Sequence, residues 1–226
     1  MSRSALSLIA VMLGVLSSSA SLASGAPAPD VIKHEPASVA GAGITAKLAV
    51  KPLTIDMLDG DTMGHVSLGI FCLNEQPRTV NAEFLKSYGS YAAGVMNQEL
   101  KRLGYNLADR GQSNAFDADL NAAPDFRVGG IIRDVKFETC AIGQDVKGWV
   151  YFKVSWALYS EKEQKVVLER VTEGVAKSDD RIPDLMKRGL VAVIDNFLAD
   201  AAFAEQIKAE YEVYKRVVTE QKLTLD

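Results

Sequence analysis

The chain has 226 residues, 48% of them hydrophobic and 24% charged, which is ordinary for a globular protein and enough for one domain with a real core. Its net charge of −4 argues against a nucleic-acid partner, because such a partner needs a basic face. Beyond the N-terminus no stretch reaches the ~20 apolar residues a spanning helix needs, so no membrane span is expected in the mature chain.

Arg3 is the only charge before the apolar run Leu6 to Leu16, and small residues follow from Ser17 to Ala26. A positive start, a short apolar centre and a small-residue end make residues 1–26 a signal peptide rather than an anchor, since a spanning helix is about twice as long. Periplasmic or secreted location follows as an expectation. A lipoprotein would carry a cysteine just past that run. The first one here is Cys72, so the mature protein is expected to be soluble. Residues 27–44 are rich in Ala, Pro and Gly and read as a flexible linker. The remainder, 45–226, reads as one domain with a helical extension from about residue 201.

Leu48, Val50, Leu53 and Ile55 form a first strand-like set, with Pro52 placing it at an edge or a bulge. A turn covers Asp56 to Asp61. His65 to Cys72 follows as a second strand, with Val66, Leu68, Ile70 and Cys72 on one face. Asn81 to Leu103 is the clearest helix: Asn81 suits the N-cap, Glu83 the first turn, Lys101 and Arg102 the last, and Gly104 the C′ position. Tyr105 to Ala108 reads as a short strand, and the polar stretch from Asp109 to Ala123 as a loop.

Three longer strands come next. Phe126 to Thr139 contains Gly129-Gly130, which suggests a bulge or a close backbone approach. Lys147 to Tyr159 alternates Val150, Phe152, Val154, Trp156 and Leu158 on one face. Val166 to Ala176 follows a polar turn, and the short connections mark antiparallel hairpins. Pro183 fits a first helical turn behind Asp179 or Asp180. Met186, Leu190, Val193, Ile194, Phe197 and Leu198 share one face of that helix. Asp200 caps a last helix striped by Phe203, Ile207, Tyr211, Tyr214 and Val218. The expected class is α+β, a mostly antiparallel sheet with helices packed on one face.

The two cysteines, Cys72 and Cys140, fall at the ends of expected strands. In an oxidising compartment they are expected to form a disulfide, the alternative being two buried thiols. No catalytic constellation survives a check of context. His65 is the one histidine of the folded part and reads as a half-exposed strand residue. No G-x-S-x-G surrounds any serine, and neither H-E-x-x-H nor a zinc-spaced cysteine pair occurs. Asp117 to Asn121 opens like a calcium loop, but Ala122 stands where the glycine is required and Val128 where the closing glutamate belongs. Gly41 to Ala46 matches a dinucleotide fingerprint in letters but lacks the strand before it and the helix after it. No catalytic, metal or cofactor site is therefore expected.

Trp149, Tyr151, Ser155 and Tyr159 fall on the face opposite the apolar one. That aromatic face is either a partner or ligand surface, or is covered by Phe203, Tyr211 or the linker. Phe203 and Ile207 are expected to pack on their own domain. Tyr211, Tyr214 and Val218 stay open between self-packing and docking a partner.

The helix end Leu103-Gly104-Tyr105, the strand Asp125 to Asp134, the segment Val154-Ser155-Trp156-Ala157-Leu158, Glu173-Gly174 and the closing Leu198 to Phe203 together resemble a known α+β domain. It is the one shared by curli-secretion lipoproteins, the TolB amino-terminal domain and small outer-membrane auxiliary lipoproteins. The resemblance spans about Lys47 to Phe203. It implies assembly, secretion or transport at the bacterial outer membrane without catalysis, through an envelope protein partner or self-association. The chain departs from the lipoprotein members in lacking a lipidated cysteine. A small-ligand or lipid-binding protein and a hydrolase with an unrecognised site are the alternatives. A large apolar pocket would favour the former, and a cleft holding His65 with two carboxylates the latter.

Overall fold

The computed structural model of the chain describes residues 27–37, 40–41, 43–69, 71–108, 123–142, 145–178 and 182–209. The expected signal peptide, nearly all of the expected loop over 109–123, and Tyr211, Tyr214 and Val218 lie outside the described residues.

The alternating runs build one seven-stranded sheet: β1 (Leu48–Val50), β2 (Thr54–Ile55), β3 (Thr62–Leu68), β4 (Asn74–Thr79), β5 (Phe126–Ile142), β6 (Asp145–Ser160) and β7 (Lys165–Ser178). The strand order is β4-β3-β5-β6-β7, and β1 and β2 also pair with β5. The three long strands form antiparallel hairpins, as does β3 with β4. β1, β2 and β3 run parallel to β5, end to end along its other edge. Helix α1 (Ala82–Arg102), helix α2 (Ile182–Leu198) and a third helix, α3, over 201–209 complete an α+β architecture. No helix among the described residues is long and apolar enough to cross a membrane.

The helices take the face that the sequence marks as apolar. Val150, Phe152, Val154, Trp156 and Leu158 of β6 are all buried. Trp156 stacks on Phe197 of α2 with ring centroids 5.0 Å apart, and its indole N–H donates to Thr172 Oγ1. Phe197 in turn meets Phe203 of α3 at 4.9 Å, and Tyr88 of α1 stacks on Phe152. Burying one such ring completely contributes about 1.5–3 kcal/mol. Gly174 lets α2 sit directly on β7: a Cβ there would lie 2.2 Å from the Val193 nitrogen.

Helix α1 begins and ends where its caps dictate. Asn81 accepts from the Phe84 N–H at 2.8 Å, and Glu83 lies in the positive first turn. At the other end Gly104 (φ 81°) donates to the Lys101 carbonyl and Tyr105 to the Leu100 carbonyl, the paired bonds of a Schellman stop. Asp200 caps α3 by accepting from the Ala202 N–H, and Phe203 and Ile207 are fully buried.

Several boundaries differ from expectation. The first apolar set is two short strands, with Pro52 in the break between them. Tyr105 to Ala108 contributes only the bridge Leu48–Leu107. The bulge in β5 falls at Arg133, between Ile132 and Asp134, not at the glycine pair. The glycines serve close approach instead, since a Cβ on Gly130 would lie 3.0 Å from the Trp156 ring. Within the stretch read as a linker, Ile32 to His34 is seated on the domain. Asn196 of α2 accepts from the His34 N–H and donates to the carbonyls of Ile32 and Glu173.

Candidate functional site

The β3–β4 hairpin carries the most unusual surface. The second expected strand stops at Leu68 instead of running to Cys72, because the chain turns at Gly69 (φ 86°) and Cys72 takes φ 53° in that turn. The Cys72 N–H donates to the Gly69 carbonyl, and the Gly69 N–H to Ala141 of β5. Cys72 is disulfide-bonded to Cys140 with Cα atoms 5.5 Å apart, so the expected pairing stands, made from a turn to a strand. Around it Leu68, Phe71 and Leu73 are 40%, 60% and 68% exposed. Apolar side chains this exposed usually sit on mobile loops. Here they sit on a turn stapled to the central strand.

The sheet face away from the helices holds the three aromatic residues singled out in the sequence. Tyr151 is buried among its neighbours, while Trp149 and Tyr159 are half-buried. Burial first, and then the Glu173 carboxylate, push the Tyr151 phenol above its ordinary range. The Tyr159 hydroxyl donates to Gln164. Ion pairs run between these rings, Lys153 with Glu173 and Lys136 with Asp134, and Val166 and Val171 of β7 are exposed. Phe203 does not cover this face. It packs against Phe197 and Tyr105 on the helix side.

Strand register also brings together residues that the sequence keeps far apart. His65 on β3 is opposite Glu138 on β5, and Glu75 on β4 is opposite Ser67, one row along. His65 Nδ1 lies 3.0 Å from Glu138 Oε1 and 3.5 Å from Glu75 Oε1. The hydrogen bond to Glu138, reinforced by both carboxylate charges and opposed by slight burial, holds the imidazole pKa above its ordinary value. Trp149 on β6 is the register partner of Glu138 on the other side. From the sequence, His65 is expected to be a half-exposed strand residue, and nothing there names its carboxylate neighbours. No spacing rule links residues 65, 75 and 138, so only the strand pairing could reveal the cluster.

A cavity of about 660 Å³ opens on the bare face, lined among others by Lys51, Gly129, Ile131, Arg133, Ser155 and Val171. A second, of about 390 Å³, lies between Val31–His34 and Asn196. Neither is lined by His65, Glu75 or Glu138.

No family model matches the chain, and no curated protein matches it. Solved structures are similar to it in part. Protein XCC0632 from Xanthomonas campestris (DUF330) is 13% identical with a TM-score of 0.47, over 80% of this chain and 97% of that one. A PelC dodecamer from Paraburkholderia phytofirmans is 14% identical with a TM-score of 0.35, over 75% and 91%. Lipoprotein GNA1162 from Neisseria meningitidis is 13% identical with a TM-score of 0.32, over 69% and 99%. Likenesses at these identities and TM-scores assign the chain neither a family nor an activity.

Proposed function

We propose that the chain is a non-catalytic, soluble periplasmic protein that serves envelope assembly, secretion or transport by binding another protein through its stapled hairpin and the adjoining sheet face. In this reading residues 1–26 are removed on export, part of the 27–44 segment lies against the domain, and 45–226 do the binding. The observation that carries the proposal is the exposure of Leu68, Phe71 and Leu73 in and beside the β3–β4 turn fixed by Cys72–Cys140. Exposed apolar side chains gathered in one short segment are costly in water and mark interaction sites. A disulfide that holds them in place removes ordering entropy that a partner would otherwise have to supply. It also suits an oxidising compartment.

The His65–Glu75–Glu138 cluster has the composition set out for a hydrolase, yet it lies outside both cavities. Its His65 and Glu75 side chains are 36% and 54% exposed, which leaves the cluster open to water. The larger cavity has the volume of a small-ligand site, but it is open, and Lys51, Arg133, Glu169 and Arg170 stand in its lining beside the apolar Pro52, Ile131, Trp156 and Val171.

The test is affinity capture of the tagged mature protein from envelope extracts, alongside a Phe71→Ser/Leu73→Ser variant. The wild type is expected to recover a stoichiometric partner or a second copy of itself, and the variant to lose it while unfolding at the same temperature. A wild-type protein that stays a folded monomer at high concentration and recovers no partner would contradict the proposal.

A further inference from the structure

Three neighbouring strands each send one metal-ligating side chain into the same patch of the bare face: Glu75 from β4, His65 from β3 and Glu138 from β5. Their ligand atoms all lie within 4.8 Å of one another. Neighbouring strands are about 4.8 Å apart, so side chains on one face and in adjacent rows converge without strain. Zinc bonds of about 2.0–2.2 Å in a tetrahedron set ligand atoms roughly 3.3–3.5 Å apart. The two edges at His65 Nδ1, 3.0 Å and 3.5 Å, bracket that spacing.

Charge points the same way. Two carboxylates held this close repel, and one imidazolium cancels only half of their charge. A divalent cation cancels both. One imidazole nitrogen with two carboxylate oxygens suits a borderline cation of the zinc type, and tetrahedral geometry leaves a position for water or a side chain from another protein. An independent feature fixes the arrangement: the Cys72–Cys140 disulfide ties the turn that leads into β4 to β5, three residues before Glu75 and two after Glu138. The staple therefore presets the separation of the two glutamates.

We propose that His65, Glu75 and Glu138 form a three-ligand site for a zinc-class divalent cation, pre-organised by the Cys72–Cys140 disulfide. The site shares the stapled hairpin with the protein-binding proposal, but its argument and its test do not depend on any partner.

The experiment titrates zinc chloride into the tag-free, metal-stripped mature protein by calorimetry, with nickel quenching of tryptophan fluorescence as a second readout. One zinc per chain is expected. His65→Ala and Glu75→Gln should each weaken binding at least about tenfold, while His34→Ala leaves it unchanged. Glu75 is 54% exposed on the edge strand, so its variant stays folded even if that at His65 does not. Nickel should quench Trp149, the partner of Glu138, and the quenching should vanish in Trp149→Phe although Trp156 remains. The Cys72→Ser/Cys140→Ser variant, which removes the staple without freeing thiols, should bind zinc more weakly. The absence of saturable zinc binding to the wild type, or equal affinity in Glu75→Gln, would overturn the site.

Discussion

His65 shows how a residue acquires its properties from neighbours the sequence does not place beside it. In the metal-free protein its imidazole titrates above the ordinary 6.5, first because Glu138 bonds its Nδ1. The folded value exceeds the unfolded one. This contribution to stability is therefore complete below the ordinary histidine value and is lost as pH rises through the folded pKa. An NMR titration of His65 should give a raised midpoint, and Glu138→Gln should bring it back toward 6.5. An unchanged midpoint in that variant would refute the assignment. Gly174 makes a packing prediction at the same scale. A methyl group there meets the Val193 backbone, so Gly174→Ala should cost about 1–3 kcal/mol in denaturant unfolding. The buried alternation of β6 was legible from Val150 to Leu158 because a two-residue period is local. The His65–Glu75–Glu138 group was not, because register between strands is set by turns and bulges elsewhere.

At the level of elements, helix α1 was readable to within a residue, since Asn81 and Gly104 write its ends into the sequence. Strand β4 was not. All six of its residues, Asn74 to Thr79, are exposed, so it has no apolar alternation to read, and Pro77 argues against a strand until it is placed at a sheet edge. The bulge at Arg133 likewise resets which residues of β5 face the helices, with Ile132 buried before it and Val135 and Phe137 after it. The hairpin and its disulfide give a stability prediction. The bridge closes a loop of 68 positions, which on the chain-entropy model is worth about 4 kcal/mol. A Cys72→Ser/Cys140→Ser variant should therefore melt roughly 10 °C lower in calorimetry. A shift of only a degree or two would mean that the staple orders the hairpin without supporting the domain.

For the whole molecule, the order of elements was enough to give the α+β class and the side on which the helices pack. It did not reveal that β1, β2 and β3 line up parallel along one edge of β5, because such pairings join segments many residues apart. Among the described residues, that arrangement leaves one face and the stapled hairpin uncovered by any helix while three helices cover the other. The central claim is that Phe71 and its neighbours meet a protein. A photo-reactive phenylalanine analogue at position 71, irradiated in cells producing the full chain, should yield one discrete cross-linked adduct, greatly reduced when Leu73→Ser is added. Irradiation that leaves only the uncross-linked monomer, in a protein shown to carry the Cys72–Cys140 bridge, would contradict it.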